Sequence, residues 1–282
     1  MVLYVIRGEA HFFTSPDLKE WQLSSVVPLD DFFECPDLFQ LPVDGDPANM
    51  KWLLHDAHLH YWIGEFDGET FVAETERRRG DFGRNFHAAQ SWNDAPRRVQ
   101  VGWMCNGEYP EMPFSQQMSF PCELSLATVG GEVRLCRNPI GGIEQLHGER
   151  FELMDVTLAP GDDLLAGQAG ELLDIELVVR PRADAEFALA IGDTAVTCAG
   201  GEIACLDARM AAPLIDGALK LRVLVDRTSI EVFAADGAVV MSSCYLPANV
   251  ESALSLRTTG GAVAFDLVRV TQLTSAWPAS LG

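Results

Sequence analysis

The 282-residue chain has few basic residues for its number of acidic ones. Lysine and arginine total 20 against 41 aspartates and glutamates, which gives a formal net charge of −21. Proteins that bind nucleic acid neutralise phosphates with Lys and Arg, and anionic membrane surfaces attract the same side chains. The charge therefore argues against nucleic acid and membrane surfaces as partners, whereas a neutral ligand such as a sugar meets no repulsion.

Long apolar runs are also missing. No stretch approaches the roughly 20 residues that a membrane-spanning helix needs. The apolar opening Met1–Ile6 stops at Arg7 and has no basic flank before it, so it does not resemble a secretory signal peptide. The sequence predicts a soluble protein without a membrane segment and assigns it no cellular location.

The seven cysteines lack the spacing of a zinc or redox motif. No pair is separated by two residues, and no close set of Cys and His has ligand spacing. The odd count favours reduced, mostly buried thiols and leaves a single disulfide open. His55, His58 and His60 lie close together in the sequence, but they fit polar strand and loop positions better than a metal site.

Helical periodicity is nearly absent, and the best helix candidate is one or two turns at Ile143–His147. Instead, short apolar runs alternate with turn signals. Asp67-Gly68, Gly130-Gly131 and Asp236-Gly237 each separate two such runs, which is typical of β-hairpins. Many short strands with regular turns predict an all-β protein built as a sandwich, barrel or propeller.

The composition changes near Asn138–Gly142. Five of the six tryptophans precede this point, and alternating Leu, Val and Ile dominate after it. We therefore expect a first domain at residues 1–138, a linker at 139–149 and a second domain at 150–282. A chain of this length, with 48% hydrophobic residues, can bury two cores.

The segment Phe33–Phe39 carries the densest chemical signal. Glu34 stands between aromatic residues and close to Pro36, which forbids regular ladder hydrogen bonds. Apolar neighbours raise the pKa of a carboxyl group and keep it protonated for use as a general acid. Taken alone, the same pattern also fits a solvated or hydrogen-bonded glutamate before a turn.

A second segment, Asp81–Trp92, places small residues and an amide between aromatics. In a strand that lines a sugar pocket, Gln90 could hydrogen-bond hydroxyl groups and Trp92 could stack on a ring face. The alternative is an ordinary β-hairpin in which Asp81 and Arg84 pair across the turn.

Several motifs, in the correct order, resemble glycoside hydrolase family 32, the family of invertases, levanases and inulinases. They are Ser15–Trp21, Glu34–Phe39, Asp81–Arg84 with Ala88–Trp92, Gly102–Met104, Tyr109–Met118 with Phe120-Pro121, and Leu221–Phe233. The resemblance extends over essentially the whole chain. The Tyr109–Met118 segment looks like that of the bacterial fructan-degrading members.

The resemblance implies the C-terminal part of a five-bladed β-propeller, from the end of blade three through blades four and five, followed by a β-sandwich. It implies cleavage of terminal fructosyl bonds of sucrose, inulin or levan with retention of configuration, by two carboxyl groups and without a metal or organic cofactor. Glu34 matches the family's general acid/base. Asp37, Gln90 and Trp92 are candidate substrate-binding residues, and Asp37 also fits a purely supporting role.

Two motifs of the family are absent: the Asn-Asp-Pro-Asn-Gly motif that carries the nucleophile, and an Arg-Asp-Pro motif. Asn93-Asp94-Ala95-Pro96 resembles the first only superficially, and Asp46-Pro47 lacks the preceding Arg. Cys122 stands where the family usually has Arg, so any ion pair of that Arg is lost. The chain therefore resembles an N-terminally incomplete copy, and we expect negligible hydrolysis by the chain alone. Turnover without a second polypeptide would instead require a substitute carboxylate, for which Asp81 and Asp94 are the first candidates.

Two functions remain open: a fructan- or sucrose-directed hydrolase in an incomplete copy, and a non-catalytic carbohydrate-binding or remnant protein that keeps the fold. An incomplete propeller would leave strand edges uncovered, so we expect pairing with a second copy or with a separate N-terminal fragment. The charge cluster of Asp226, Arg227 and Glu231 is expected to be structural.

Overall fold

The computed structural model describes residues 1–93, 96–110, 112–180 and 185–277. These residues form strands almost throughout, which confirms the all-β prediction. The strands of the first half are β1 Val2–Ile6, β2 Glu9–Thr14, β3 Gln22–Pro28, β4 Asp37–Val43, β5 Asp46–His55, β6 His60–Phe66, β7 Phe71–Ala73, β8 Arg78–Arg79, β9 Phe86–Ser91, β10 Val99–Met104, β11 Gln117–Met118, β12 Cys122–Val129 and β13 Glu132–Pro139. Those of the second half are β14 His147–Leu158, β15 Ala169–Gly170, β16 Leu173–Arg180, β17 Phe187–Ile191, β18 Thr194–Ala199, β19 Glu202–Cys205, β20 Ala208–Ala211, β21 Leu219–Asp226, β22 Ser229–Ala234, β23 Val239–Cys244, β24 Ser252–Thr258 and β25 Val263–Leu273.

Two short 3₁₀ helices interrupt the strands. Gly141–Leu146 lies where the sequence predicts one or two helical turns, beginning two residues earlier, and Ala235–Gly237 lies in a hairpin. In the part of the chain that the structure describes, no helix is long and apolar enough to cross a membrane.

The first half consists of antiparallel sheets that pack face to face like propeller blades. Strands β1–β3 form a three-stranded sheet, β4–β7 a four-stranded meander, and β9, β10, β12 and β13 a further four-stranded unit. The two four-stranded units are joined by a parallel bridge between Val43 and Leu126. Strand β8 adds to β6, and β11 adds to β10.

Apolar side chains fill the spaces between these units. Phe12, Trp62 and Phe71 belong to the core between the β1–β3 sheet and the β4–β7 unit. Phe39 and Leu126 belong to the core between the two four-stranded units. Since alternate residues of a strand point to opposite faces, each blade can bury both faces only against a neighbour on either side.

The outer face of the β1–β3 sheet stays exposed. Tyr4, Ile6, Leu23 and Val26 keep between 40 and 58% of their surface accessible. Tyr4 and Val26 flank the same residue of β2, His11, so the exposed side chains of β1 and β3 lie on one face of the sheet, on either side of β2.

The second half is a sandwich of two six-stranded sheets. Their strand orders are β14-β25-β16-β21-β22-β23 and β15-β24-β17-β18-β19-β20. The alternation predicted from the sequence is clear in β16, where Leu173, Ile175, Leu177 and Val179 all point into the shared core and are buried. Sheet-on-sheet burial of this kind is the main source of stability in such a domain.

The two halves meet through a short connection. Strand β13 ends at Pro139, and β14 already pairs with β25 at His147, inside the segment predicted as linker. Phe233 of the sandwich packs with Cys122 and Ile143 in a buried junction cluster. The division into two domains joined by a linker remains our proposal, with the linker beginning at residue 139 and the sandwich beginning at His147 rather than at residue 150.

Candidate active site

Glu34 lies in the loop that precedes β4. Its side chain is exposed, and its carboxylate makes no hydrogen bond or ion pair with any other described residue. The apolar enclosure expected for this carboxyl group is therefore not found among those residues. Cys35 has a φ of +48°, a conformation that few residues other than glycine adopt, so the chain turns sharply directly after Glu34. Burial and, next, the negative charge of Glu34 raise the pKa of the Cys35 thiol.

A buried carboxylate, Asp56, holds one side of this loop. It accepts hydrogen bonds from the backbone N–H groups of Phe33 at 3.3 Å and of His58 and His60 at 2.9 Å, and from Nδ1 of His60 at 3.2 Å. The Glu34 loop is thereby tied to the turn between β5 and β6. A loop fixed in this way can keep a carboxylate in place without contacting it.

Gln90 holds the other side of the loop. Its Nε2 donates to the carbonyl oxygens of Cys35 at 3.2 Å and of Ala89 at 2.9 Å. The amide predicted to bind sugar hydroxyls is therefore adjacent to Glu34, but it uses its N–H groups on the backbone.

Asp37 and Trp92 differ in their surroundings. Asp37 accepts hydrogen bonds from the backbone N–H of Ser91 at 3.1 Å and from Ser91 Oγ at 2.5 Å. These contacts agree with the supporting role that the sequence also allows for Asp37. Trp92 is 53% exposed at the end of β9.

Two of the three clustered histidines, His55 and His60, bond through their ring nitrogens to other groups of the protein. His55 is fully buried, and burial lowers its pKa despite the nearby Asp37. It is therefore neutral, with Nδ1 donating to the Asp56 carbonyl oxygen at 3.0 Å and Nε2 accepting from Gln100 at 3.0 Å. Within the described ranges, no group of three or more His, Cys, Asp or Glu residues is placed to hold a metal ion.

A continuous row of four rings begins beside Glu34. Phe33 stacks on His58 with centroids 5.0 Å apart, His58 lies 4.9 Å from His87, and His87 lies 5.8 Å from Trp103. We call Phe33, His58, His87 and Trp103 the ring row. Its members come from four separate segments, the loop before β4, the turn between β5 and β6, β9 and β10, so no local motif reveals it.

The ring row borders a cleft of about 320 Å³. His58, His87 and Trp103 line it together with Arg84 and Asn106. Arg84 and Asn106 also line a second cavity of about 300 Å³, which reaches Tyr245 of the sandwich. The two cavities thus lead from the ring row toward the second half of the chain.

The pairing of Asp81 with Arg84 suggested by the sequence is wrong. Asp81 is buried and accepts from Arg137 at 2.7 Å and from Ser242 Oγ at 2.7 Å, whereas Arg84 pairs with Asp207 of the sandwich. Coupled to an arginine in the interior, the Asp81 carboxylate is a structural group at the junction of the two halves and is not placed as a substitute nucleophile. Asp94, the other substitute considered, lies outside the described residues.

The charge cluster of the sandwich is structural as well. Arg227 pairs with Glu171 at 2.7 Å, and Asp226 accepts from the Arg227 backbone N–H. Glu231 is fully buried at the junction, accepts from the backbone N–H of Phe120 at 2.8 Å, and has its pKa raised to about 7 by burial. Cys122, which stands where the family usually has Arg, lies in the same junction. Its buried thiol carries no positive charge that could pair with the Glu231 carboxyl group.

Family models cover nearly all of the chain. The model described as "Glycosyl hydrolases family 32 N-terminal domain" matches residues 3–139, and "Glycosyl hydrolases family 32 C terminal" matches residues 156–272.

Individual relatives agree with this match. A levanase of Bacillus subtilis (strain 168) is 32% identical over 94% of this chain and 47% of its own length. An extracellular exo-inulinase of Aspergillus niger is 28% identical over 94% of this chain and 60% of its own length. The chain thus spans about half the length of the curated relatives it matches.

Solved structures show the same fold. The exo-inulinase of Aspergillus awamori superposes with a TM-score of 0.81 at 24% identity, over 96% of this chain and 63% of that one. A β-fructofuranosidase of Schwanniomyces occidentalis gives a TM-score of 0.81 at 18% identity, over 95% of this chain and 65% of that one. At these identities the likeness establishes the architecture, a β-propeller followed by a β-sandwich.

Proposed function

The chain belongs to glycoside hydrolase family 32, and from that premise we propose that it carries the general acid/base of a retaining β-fructofuranosidase, with Glu34 in that role. The observation that carries the proposal is the placement of Glu34. Its carboxylate is exposed and unpaired among the described residues, on a loop that Asp56 and Gln90 fix from two sides. A carboxyl group held in this way can meet the oxygen of a bound glycoside.

The proposed reaction has two steps. Glu34 protonates the leaving oxygen while a second carboxylate attacks the anomeric carbon of the fructosyl group. Glu34 then removes a proton from the water molecule that hydrolyses the covalent intermediate. Neither step draws on a metal or organic cofactor.

The second carboxylate belongs to a segment that these 282 residues do not contain, on the same chain or on another. No Asn-Asp-Pro-Asn-Gly motif occurs in the sequence. A covalent fructosyl intermediate requires that nucleophile, because a general acid alone does not form it. The same observation favours the second candidate function, a non-catalytic protein that binds fructosides.

We assign sucrose and the fructans inulin and levan as the substrate class. The names of the relatives, levanase and exo-inulinase, support this class. A net charge of −21 suits a neutral carbohydrate and disfavours an anionic one. Asp37, Gln90 and Trp92 remain our candidates near the bound fructosyl group, with Asp37 supporting the site through Ser91.

We propose that a partner covers the outer face of the β1–β3 sheet. That face carries exposed apolar side chains on β1 and β3, and a propeller protects such faces and edges by closing into a ring. A separate N-terminal segment or a second copy of the chain would fulfil this role.

A fructose-release assay tests the catalytic role of Glu34. The 282-residue polypeptide is assayed alone on sucrose, inulin and levan, and again with an N-terminal segment of a family member that carries the nucleophile motif. We expect negligible turnover alone and turnover in the mixture. Glu34→Gln should then reduce kcat about 10²–10⁴-fold, the usual contribution of a general acid.

An activated substrate and two further variants make this assay specific. The loss in Glu34→Gln should be much smaller on an aryl fructoside, because its leaving group needs little protonation. Asp37→Asn should reduce kcat less than Glu34→Gln, and Glu20→Gln, an exposed glutamate outside the site, should leave it unchanged. An unchanged kcat in Glu34→Gln would reject Glu34 as the general acid/base. Turnover by the polypeptide alone would reject the hypothesis that the nucleophile is absent from these 282 residues. If the mixture too releases no fructose, the non-catalytic function is favoured.

A further inference from the structure

We propose that Cys105 and Cys244 are a thiol pair that closes as a disulfide in oxidising surroundings and then joins the two halves of the chain covalently. The sequence leaves a single disulfide open, and all seven cysteines are free thiols in the structure. The proposal goes beyond the role of Glu34, because it concerns the junction between the first half and the sandwich.

A buried amide, that of Asn85, holds the two cysteines side by side. The Asn85 carbonyl oxygen accepts from the backbone N–H of Cys105 at 2.9 Å, and Asn85 Nδ2 donates to the Cys105 carbonyl oxygen at 2.6 Å. Asn85 Oδ1 accepts from the backbone N–H of Cys244 at 2.8 Å. One residue that is 2% exposed thus bonds the backbones of two cysteines that lie 139 positions apart in the sequence.

The thiol of Cys244 lies against the turn that contains Cys105. Cys244 Sγ is 4.0 Å from the Cys105 carbonyl oxygen and 3.8 Å from that of Met104. Gly107 approaches the same thiol, since a Cβ atom at Gly107 would lie 2.8 Å from Cys244 Sγ. A disulfide needs Cα atoms about 4.4–6.8 Å apart. A thiol already in contact with its partner's backbone therefore needs only side-chain rotation and a small shift of the turn.

Backbone hydrogen bonds keep the surrounding segments in register. The N–H of Phe82 donates to the Val240 carbonyl oxygen at 2.7 Å, and the N–H of Asn85 donates to that of Ser242 at 3.3 Å. The segment that carries Asn85 therefore runs along β23 up to its last residue, Cys244. Groups that are held together before they react lose little conformational freedom when the bond forms.

Both thiols are open to a small oxidant. Cys105 and Cys244 are half-buried, in contrast to four other cysteines, which are buried: Cys122, Cys136, Cys198 and Cys205. Cys105 lines the cleft of about 320 Å³, and Cys244 lines the cavity of about 300 Å³. The two spaces share Arg84 and Asn106 in their walls, so the pair can be reached from either side.

The hairpins that carry two cysteines offer no better pair. In the hairpin of β18 and β19, Cys198 lies opposite Ile203 and is only a diagonal neighbour of Cys205. Diagonal neighbours in a sheet are about 7–8 Å apart, which is beyond the reach of a disulfide. On β12 and β13, Cys122 and Cys136 are not opposite each other.

The oxidant proposed is a small-molecule disulfide such as oxidised glutathione. The thiolate of one cysteine attacks a glutathione sulfur and forms a mixed disulfide, and the released glutathione thiolate takes up the proton that the cysteine lost. The thiolate of the second cysteine then attacks the protein sulfur, and the second glutathione leaves and is protonated in the same way. Two protein thiols are oxidised, and one glutathione disulfide is reduced to two thiols.

Equilibration of the full chain with glutathione buffers tests the pair. The ratio of reduced to oxidised glutathione is varied at pH 8.5, because burial raises the pKa of both thiols and only a thiolate attacks. Free thiols are then blocked and counted by mass. We expect the count to fall from seven to five. The melting temperature should rise by roughly 5 °C or more, since the bond closes a loop of about 140 residues.

Peptide mapping identifies the bond that forms. Trypsin releases Cys244 on a peptide without another cysteine, whereas Cys105 and Cys122 share one tryptic peptide. Additional cleavage after Glu108 separates these two. We expect the Cys105 fragment to be linked to the Cys244 peptide after oxidation of the folded chain, and this preference to disappear after oxidation in urea.

Variants supply the controls. Cys105→Ser and Cys244→Ser should each prevent both the loss of two thiols and the rise in melting temperature. Cys35→Ser removes another half-buried thiol and should leave both effects intact. The peptide map of the parent chain needs no variant, so it decides the question even where a serine variant fails to fold.

Four results would each overturn the proposal: seven free thiols at the most oxidising ratio, a bond between any other two cysteines, a bond between two chains, or glutathione adducts without an internal bond. None of them bears on Glu34, because its role is judged by turnover in the mixture with the N-terminal segment.

Discussion

At the scale of single residues, Glu231 shows how a buried carboxyl group depends on its neighbours. Ser242 Oγ lies 2.7 Å from Asp81 Oδ2 and 2.9 Å from Glu231 Oε2, but a hydroxyl group has one hydrogen to donate. Asp81 is paired with Arg137 and accepts that hydrogen. The contact between Glu231 and Ser242 is then satisfied when Glu231 is protonated and donates, in agreement with its pKa of about 7.

This arrangement predicts a pH-dependent stability. Between pH 4.5 and about 7, folded Glu231 keeps a proton that an unfolded glutamate has already lost. Its contribution to the free energy of unfolding is therefore fully present below pH 4.5 and is lost as the pH rises through about 7. The size of this loss is on the order of 3 kcal/mol.

The variant Glu231→Gln isolates this contribution. A neutral amide can donate to Ser242 and accept from Phe120, so the variant should be more stable than the parent at pH 8.5, on the order of 1–3 kcal/mol, and gain little at pH 5. Urea denaturation at both pH values measures the difference, with Glu202→Gln, at an exposed glutamate of strand β19, as the control. A variant that is less stable at pH 8.5, or whose difference from the parent does not change with pH, would contradict the assignment.

At the scale of elements, two hairpin turns illustrate different demands on glycine. Gly131, between β12 and β13, has a φ of +83° with open space around the position of a Cβ atom. Gly237, between β22 and β23, has a φ of +87°, but a Cβ there would lie 2.5 Å from the Arg137 carbonyl oxygen. The second turn is further attached to β13 by a hydrogen bond from Asn138 to the Asp236 carbonyl oxygen. This hairpin therefore docks the sandwich on the last blade.

A pair of substitutions separates backbone strain from close packing. Gly131→Ala should cost about 1–2 kcal/mol, the strain of a left-handed conformation in an L-residue. Gly237→Ala has the same strain and also a steric clash with β13, which should add about 1–3 kcal/mol. Chemical denaturation of both variants measures the difference. Equal losses in the free energy of unfolding would show that the hairpin and β13 move apart at little cost to make room for the added methyl group.

At the scale of the whole molecule, the sandwich should fold by itself. Its core is formed by residues of β14–β25 and their connections, and about 130 residues is an ordinary domain size. A fragment of residues 147–277, which keeps all of β14, should unfold in one cooperative transition on heating. It should be less stable than the same region in the full chain, because Phe233 and Leu224 lose their junction contacts. A broad change without a transition would reject this boundary.

The outer face of the β1–β3 sheet should make the chain associate. Its apolar side chains are exposed on β1 and β3, which are the edges of that sheet among the described residues. Exposed edges and apolar faces recruit other chains, and the high net charge slows this without covering the face. Light scattering at micromolar concentration should show a mass that rises with concentration.

Lysine substitutions provide the control for association. Tyr4→Lys combined with Val26→Lys should suppress the rise in mass, whereas Leu18→Lys, at an exposed loop residue, should not. A monomeric parent chain at all concentrations would mean that the face needs no partner.

The sequence by itself determined the strands, the turns and the order of the motifs. Alternating burial in β16 and the two-residue turn at Gly130-Gly131 are local properties, since side chains alternate with a period of two and tight turns require particular residues. The position of Glu34 before a proline turn is equally local. These features could be predicted because each depends on a few consecutive residues.

Only the tertiary structure decided which groups meet. Asp81 pairs with Arg137 and Ser242, 56 and 161 residues away, and not with nearby Arg84. These partners follow from the packing of the last blade on the sandwich. That packing buries the Asp81 carboxylate, and a buried charge needs an opposite charge to compensate for its lost hydration. The ring row likewise depends on four segments that converge beside Glu34. Pairing and burial of this kind arise from contacts between distant strands, and the periodicity of any one strand does not encode them.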